Sequence, residues 1–315
     1  MNPPELIVES IIYPGLMFIA LLALLIEGIE RKFVARLQSR MGPAYTGLRG
    51  FLQPFFDVIK LLGKEDLPPR GQDPIVPALL IASLSLAVFA ALYVPWSGVT
   101  ELDFQGDAIL VPASLVLSTG LLYMASYSTH SPFNIVGGLR LLGLLASYEV
   151  AFVSLLAIPY AITGSLEIAE IRLQLWSSLA SKPMLIPVWL AGLVLGFLLL
   201  LFESGKGPFD IAEAKTEVAG GIVADFSGRR LAFAHLTHRV QFATAIFYYA
   251  SLFIAPPLSG FPGFLLLLVS GIIIAILIAL ISAASPRIRL VDIGRFSWGI
   301  LVPVSLFLAT IALII

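Results

Sequence analysis

The chain has 315 residues, of which 58% are hydrophobic and only 12% are charged, and its formal net charge is −1. A soluble domain carries about 25% charged residues, so this composition excludes an ordinary water-soluble protein. The chain contains no cysteine. It therefore cannot form a disulfide, hold an iron–sulfur cluster through its own thiolates or build a cysteine-type zinc site.

Long apolar segments predict an all-α integral membrane protein with a single polytopic membrane domain over residues 1–315. A helix needs about 20 apolar residues to cross about 30 Å of hydrocarbon, and the first apolar segment is too long for a signal peptide. Helix breakers at Pro256, Pro257 and Pro262 predict a tight turn between the sixth and seventh spans. We predict eight transmembrane helices, at residues 9–30, 75–95, 108–128, 138–162, 183–204, 237–258, 262–284 and 294–315.

Basic residues are distributed unequally between the two sides of these spans. The loop after the first span holds eight of them, and loops three, five and seven together with the adjoining ends of the spans hold nine more, whereas the other side has only Arg172 and Lys182. The positive-inside rule places the odd-numbered loops in the cytoplasm and both termini outside. We therefore expect a multi-pass protein of a prokaryotic cell membrane.

Motifs for independent catalysis are missing. There is no phosphate-binding loop, no dinucleotide fingerprint after a strand and no nucleophile–base pair. His235 and His238 are three residues apart on a predicted helix, but a metal site would need further ligands nearby. We expect no catalytic residue, no metal site and no nucleic-acid partner.

The first cytoplasmic loop predicts an amphipathic surface helix between Phe51 and Leu62. Apolar residues recur there at spacings of three and four, at Phe51, Phe55, Val58, Ile59 and Leu62. Such a helix lies on the membrane surface or beneath a partner. The loop exceeds forty residues, which favours a docking platform over a simple charged loop.

Glu149 is predicted to lie within the fourth span. A carboxylate at that depth should be protonated, paired or in contact with water. Arg140 is the nearest basic residue in sequence, but nine residues separate the two (about 13 Å along a helix), which is too far for a direct pair. Glu149 is either part of a proton pathway or a protonated, hydrogen-bonded core residue. Glu27, near the end of the first span, is shallower and could extend to the membrane surface.

The loop after the fifth span holds four carboxylates and two lysines between residues 203 and 217. Glu213 and Glu217 are four apart and could share one face of a short helix, with Asp210 as the cap of that segment. Clustered carboxylates repel one another, which raises their pKa values and makes proton uptake sensitive to nearby charge. The alternative is a solvated acidic loop.

These motifs resemble the membrane subunit of respiratory complex I that is called H or 1 in different organisms, over essentially the whole chain. The similarity lies in ordered segments near both ends and in the middle. They are Glu30–Lys32, Gln38–Pro43, Leu52–Lys60, Ser147–Glu149, Glu203–Glu217, Pro286–Arg289, Asp292 and Trp298.

Two departures from the family pattern favour a subgroup. Lys206 stands where the family has arginine, and Lys215 stands where it has glutamate. The segment from Asp225 to Ala232 resembles ferredoxin-linked, membrane-bound nickel–iron hydrogenases, to which the archaeal sulfane sulfur reductase is related. The longer loop between Gly42 and Gly50 is closer to complex I. We rank a ferredoxin-linked complex first and a quinone-reducing complex I second.

The resemblance implies a coupling subunit without cofactors of its own. Iron–sulfur clusters would belong to soluble partner subunits on the cytoplasmic side, antiporter-like subunits would adjoin it in the lipid bilayer, and quinone would bind only under the second interpretation. The proton pathway would use Glu27, Arg140, Glu149, Glu203, Asp210, Glu213 and Glu217. The interface with the redox arm would use Glu30, Arg31, Gln38, Arg40, Asp57, Lys60, Lys206, Arg229, Arg287, Arg289 and Asp292.

Two other classes of function are consistent with a membrane protein of this size. A stand-alone secondary transporter would carry inverted repeats and broken mid-membrane helices, and neither is evident in the sequence. A passive anchor for the soluble arm would tolerate glutamine at Glu149.

Overall fold

The structure is a computed structural model that describes residues 11–96, 102–254 and 257–314. Within these residues the chain is helical and contains no strand. The helices are α1 (Leu16–Leu37), α2 (Gln53–Gly63), α3 (Val76–Leu92), α4 (Asp107–Tyr127), α5 (Pro132–Leu155), α6 (Ala157–Thr163), α7 (Ile168–Ser181), α8 (Ile186–Glu203), α9 (Lys215–Val218), α10 (Gly228–Phe253), α11 (Gly260–Ala284), α12 (Leu290–Phe296) and α13 (Val302–Ile314).

Five helical stretches of the described chain are long and apolar enough to cross a membrane. They are Asp107–Tyr127, Pro132–Thr163, Pro183–Glu203, Gly260–Ala284 and Leu290–Ile314, and they match five of the eight predicted spans. The apolar helix α3 is shorter. The long helices α1 and α10 carry charged residues. The all-α membrane fold is therefore confirmed, and the count of eight spans stays a prediction.

The first and sixth spans differ most from their predicted boundaries. We predicted 9–30, but α1 begins at Leu16, after Pro14 and Gly15, and continues to Leu37. Likewise α10 begins at Gly228, nine residues before the predicted span. In these extensions Arg31 pairs with Glu27 and Arg230 pairs with Asp66, so two of the added charges are compensated within the protein. Residues 9–10, Pro256 of the predicted turn and Ile315 lie outside the described residues.

Helix α10 is the central element of the bundle. It packs against α1, α2, α3, α7, α8 and α11, and every residue from Val240 to Phe253 is buried. A helix enclosed by protein does not face lipid, so it can carry polar groups that a lipid-facing helix could not. This explains why α10 can supply His238, Arg239 and Gln241 to the interior.

One end of the bundle collects most of the charged groups, and we call it the charged end. It comprises the second half of α1, α2, the segment 204–227, the start of α10 and the segment around Arg287. Glycines allow its segments to approach the helices closely: a Cβ on Gly28 would lie 2.5 Å from the carbonyl oxygen of Phe51, and one on Gly137 would lie 2.3 Å from the amide nitrogen of Ile222.

Helix α2 confirms the amphipathic helix predicted in the first long loop. Val58 is partly buried and faces the α1 and α10 side, where it lines a cleft with Glu27 and Arg239. Ile59 and Leu62, of the same predicted apolar face, are exposed. That this face rests on the membrane or beneath a partner stays a prediction.

At the opposite end of the bundle, Arg172 of α7 connects the segment at Pro95 to the start of α11 at Gly263. Its side chain is fully buried, and its guanidinium donates hydrogen bonds to the backbone carbonyls of Pro95 and, at 2.8 Å, of Gly263. Backbone carbonyls thus bind both terminal nitrogens of this buried cation, and no carboxylate among the described residues pairs with it.

Candidate functional site

Two cavities meet at the charged end, and the charged residues line them. The inner cavity has a volume of about 300 Å³ and is bounded by Tyr148, Glu203, Lys206, Glu213 and Gln241, among others. The outer cavity has a volume of about 290 Å³ and is lined by Glu27, Glu30, Arg40, Gly42, Lys206 and Arg239, among others. Lys206 and Arg239 line both cavities and therefore stand between them.

Glu27 is the centre of an ion-pair network that joins three helices. It is 5% exposed, and its carboxylate pairs with Arg31 at 2.5 Å and with Arg239 at 2.9 Å. Arg31 also donates a hydrogen bond to Asp57 at 2.7 Å. The network thus links α1 to α10 and α2, and Glu27 does not extend to the membrane surface as its shallow position suggests.

Asp57 is held in its charged form by two donors. Its partial burial alone would raise the pKa of the carboxyl group, but hydrogen bonds from Arg31 and Gln53 outweigh this effect and lower the pKa below its usual range. The Gln53 bond is 2.7 Å long. Charged donors stabilise a carboxylate more strongly than they stabilise the protonated acid, so this contact fixes α2 against α1 at neutral pH.

Lys206 lies in the protein interior, where it pairs with Glu30. Its Nζ is 2.5 Å from the Glu30 carboxylate and 3.8 Å from the centroid of the Phe242 ring. Burial lowers the pKa of Lys206 below its ordinary value, although Glu30 opposes this shift. The ring face provides a further cation–π contact. We expected both residues at the docking surface, but they lie between the two cavities.

Glu203 ends α8 and lines the inner cavity, and Glu149 lies on α5 next to the cavity residue Tyr148. The hydroxyl of Tyr148, which is 4% exposed, donates a hydrogen bond to Glu203. Glu149 follows Tyr148 directly and is close enough to Glu203 for the two carboxylates to interact electrostatically. Glu149 therefore interacts with a second carboxylate. Arg140 pairs with Glu217 instead.

Glu213 and Glu217 do not share a helix face, contrary to our expectation. Glu213 precedes the four-residue helix α9. It faces the inner cavity, with a carboxylate oxygen 3.7 Å from Nε2 of His238. Glu217 points outward and pairs with Arg140 at 2.7 Å. Because α9 starts only at Lys215, the backbone between the two glutamates is not helical throughout.

A second group of ion pairs lies on the surface of the charged end. Arg287 pairs with Asp210 at 2.7 Å and lies 3.8 Å from Glu217, which also holds Arg140. Asp210 therefore serves as an ion-pair partner and not as the helix cap that we predicted. Arg289 lines the same surface depression, and Asp292 is exposed one turn further on.

The remaining predicted interface residues are solvent-exposed. Gln38, Arg40, Lys60 and Arg229 are all exposed at the charged end. Arg229 also donates a hydrogen bond, 3.4 Å long, to the backbone carbonyl of Leu62. Among the described residues no group of three or more histidine, cysteine, aspartate or glutamate side chains is arranged to hold a metal ion. His235 and His238 line the inner cavity.

Comparison with known proteins identifies the family of this chain. A sequence profile of the NADH dehydrogenase family matches residues 11–313. The chain is 30% identical to the H subunit of the NADH-quinone oxidoreductase of Brevibacillus brevis, over 88% of this chain and 84% of that protein. It is 29% identical to the same subunit of Thermomicrobium roseum, over 88% of this chain and 86% of that protein. The chain belongs to the NADH dehydrogenase subunit 1 family.

A solved structure shares the fold of this family member. It belongs to the membrane-bound sulfane sulfur reductase, described as an archaeal respiratory membrane complex. The TM-score is 0.82 at 22% identity, covering 94% of this chain and 96% of that one. The family match, with the apolar helices, makes the chain an integral membrane subunit of a complex I-like respiratory complex. At this identity the structural likeness establishes the fold alone.

Arg239 is the main site residue that the sequence reasoning missed. It is the only arginine or lysine within the predicted sixth span, and it pairs with Glu27 while lining both cavities. An ionisable residue inside a span calls for a partner, so its position was a usable signal. Arg230 was also missed: it is buried, pairs with Asp66 at 2.7 Å and fixes the segment before α3 to the start of α10.

Proposed function

We propose that this chain couples electron transfer to proton or sodium translocation within a ferredoxin-linked membrane complex, a hydrogenase or a sulfane sulfur reductase. In this role it carries no cofactor and performs no redox chemistry itself. Iron–sulfur clusters belong to soluble partner subunits that dock on the charged end, and antiporter-like subunits adjoin it in the membrane. The charged end faces the cytoplasm of a prokaryotic cell, and both termini lie outside.

The observation that carries this proposal is the series of charged groups that leads from the surface into the membrane. Asp57, Arg31, Glu27 and Arg239 are joined by direct contacts of 2.5 to 2.9 Å. The series then crosses the two cavities, past Lys206, to the pair of Tyr148 and Glu203. Buried ionisable groups are costly to maintain next to a bilayer, and such groups mark proton pathways.

In this proposal the exposed residues of the charged end form the surface on which the soluble partner subunits dock. The exposed residues of the predicted interface lie beside the outer cavity and along α2; they are Gln38, Arg40, Lys60 and Arg229. A separate surface patch carries both charges and consists of Asp210, Glu217 and Arg287. A redox centre of a partner placed there would lie next to the ion-pair network. A change in its charge would act on Glu213 and the residues deeper in the membrane through electrostatics.

Lys206 supports the ferredoxin-linked assignment over a quinone-reducing one. It stands where the family pattern has arginine, and here it is engaged with Glu30 and Phe242 between the cavities. An ammonium on a flexible stem replaces a planar guanidinium, and these two groups differ in hydrogen-bonding geometry. A chain of the membrane-bound sulfane sulfur reductase, described as an archaeal respiratory membrane complex, has the same fold as this chain.

The test measures ions translocated per electron by the purified complex in sealed vesicles. We expect Glu149→Gln, Glu203→Gln and Glu213→Gln to leave assembly intact and to lower this ratio or the rate, because glutamine keeps the shape and removes the titrating group. Glu65→Gln, at an exposed position of the charged end, is the matched control. Wild-type ratios and rates in all three variants would make the chain a passive anchor.

The second candidate function is the quinone site of an NADH:quinone oxidoreductase. It is favoured by the names of the relatives in Brevibacillus brevis and Thermomicrobium roseum, which are H subunits of NADH-quinone oxidoreductases. The outer cavity also has a volume of about 290 Å³, near the lower limit of about 300 Å³ for small-molecule pockets. If the ferredoxin-linked proposal is right, the complex turns over without added quinone and is insensitive to quinone-site inhibitors. Strict quinone dependence would establish the second function.

A further inference from the structure

Gln241 is a buried polar residue of the inner cavity that the proposed pathway does not use. It is 3% exposed, lies on α10 and lines the cavity together with Thr119 of α4. Its amide nitrogen donates hydrogen bonds to the hydroxyl oxygen of Ser118 at 2.8 Å and of Thr119 at 3.2 Å. Both amide hydrogens are thereby engaged by hydroxyl oxygens of α4.

The hydroxyl groups of Ser118 and Thr119 fix this orientation. The Ser118 hydroxyl donates its hydrogen to the backbone carbonyl of Ser83 at 2.6 Å, and the Thr119 hydroxyl donates its hydrogen to the carbonyl of Leu115 at 3.0 Å. A hydroxyl has one hydrogen, so each oxygen can only accept from Gln241. A reversed amide would place its oxygen against two acceptors. The amide oxygen is therefore left free of these two hydroxyls, on a residue that lines the cavity.

We propose that Gln241 is a positioning residue that presents a fixed hydrogen-bond acceptor to a water molecule in the inner cavity. Glu203, Glu213 and Lys206 line the same cavity, and its volume of about 300 Å³ accommodates several waters of about 30 Å³ each. The bound water donates one hydrogen to Gln241. Its other hydrogen and its lone pairs are left for the two glutamates.

This water connects the two carboxyl groups for proton transfer. A protonated Glu203 donates its proton to the water oxygen, and the water passes its free hydrogen to the Glu213 carboxylate, so that the water stays neutral and one proton has moved. The reverse transfer uses the same atoms. The hydrogen held by Gln241 does not move, and it keeps the water in one orientation. This inference rests on the proposed coupling function.

The test uses Gln241→Met in the assembled complex, since methionine retains the length of the side chain and removes the acceptor. We expect the number of ions translocated per electron to fall by about twofold or more, because a misplaced bridging group slows the transfer it positions. Thr119→Val should lower the ratio less, because one hydroxyl still orients the amide. Thr119→Ser, which keeps the hydroxyl, should restore the wild-type ratio.

Ser83→Ala is the matched control for packing. It removes a hydroxyl that donates to the Ser118 carbonyl at 2.6 Å but leaves both acceptors of Gln241 in place. If Gln241 only packs the helices, all these variants lower the melting temperature and none changes the ratio, which would overturn the inference. If Glu203→Gln also keeps the ratio, the coupling function itself fails. If Glu203→Gln loses coupling and the Gln241 and Thr119 variants keep it, only the role of Gln241 is refuted.

Discussion

Glu30 depends on Lys206 for the neutralisation of its charge. Glu30 is 5% exposed, one of its oxygens pairs with Lys206 at 2.5 Å, and the other has no hydrogen-bond partner among the described residues. Removing one partner of a buried ion pair leaves an uncompensated charge, whereas removing both does not.

We therefore expect Lys206→Met to destabilise the protein by about 3–5 kcal/mol and to lower the melting temperature of the purified complex. The double variant Glu30→Gln with Lys206→Met should be more stable than Lys206→Met alone, because no unpaired charge remains. Lys206→Arg tests whether a guanidinium fits between the cavities. Additive losses in the double variant would show that the two side chains do not interact.

The residues of this site illustrate what one sequence can and cannot reveal. The sequence indicated Glu149, Glu203 and Glu213 as candidate pathway residues because carboxylates beside a membrane are rare. It did not reveal that Lys206 meets Glu30, since 176 positions separate them. Arg140 and Glu217, 77 positions apart, raise the same difficulty. Ion-pair partners follow from how helices pack, and helix packing is not readable from charge and hydropathy.

At the scale of elements, the attachment of α2 to α1 should depend on pH through Asp57. Its pKa is lowered in the folded protein, so this carboxylate stabilises the contact above the unfolded-state pKa of about 3.9. That stabilisation is lost as the pH falls through the lower folded-state pKa.

Hydrogen exchange of the α2 amides measures this effect in wild type and in Asp57→Asn. We expect the α2 amides to exchange more slowly in wild type than in Asp57→Asn at both pH 7 and pH 5. This difference between the two proteins should disappear only in strong acid. A difference that already disappears between pH 7 and pH 5 would contradict the lowered pKa. Lys60→Gln, on the same helix but exposed, should show no such pH dependence.

The segment 219–223 is held against α5 by a close backbone contact at Gly137. A Cβ there would lie 2.3 Å from the Ile222 nitrogen and 2.6 Å from the Gly221 Cα, and neither backbone atom can rotate away. Gly137→Ala should therefore displace the segment 219–223 and cost about 1–3 kcal/mol, measured as a lower melting temperature. Gly120→Ala, where a Cβ meets nothing within 4 Å, is the control. Equal stability of the two variants would contradict the close contact.

Helix existence was easier to predict than helix ends, for a physical reason. Five apolar stretches matched the structure because a span is defined by its transfer into hydrocarbon. The ends of α1 and α10 did not match, because residues 31–37 and 228–236 extend these helices within the protein. Arg31 and Arg230, within these extensions, pair with carboxylates of other chain segments. A hydropathy average cannot detect such pairing, because it treats every charged residue as solvated.

At the scale of the whole molecule, the charged end should face the cytoplasm. Cysteine placed at Ser39 or at Thr216 is unique in this chain, since the native sequence has none, and both positions are exposed at the charged end. We expect an impermeant thiol reagent to label both only in inside-out vesicles. Ser181→Cys, exposed at the opposite end, should show the reverse pattern. Labelling of either charged-end cysteine in intact cells would reverse the proposed orientation.

The buried Arg172 implies that the two ends of the protein differ in their tolerance of mutation. Its guanidinium binds the backbone carbonyls of Pro95 and Gly263, and every amino acid supplies that carbonyl. A saturation library should therefore accept many side chains at position 95 while rejecting most changes of Arg172. Position 263 is an exception, because a Cβ there would lie 2.0 Å from the Leu258 carbonyl oxygen. At the charged end the contacts join one side chain to another. A substitution there that lowers stability should be rescued only by a second substitution at its ion-pair partner.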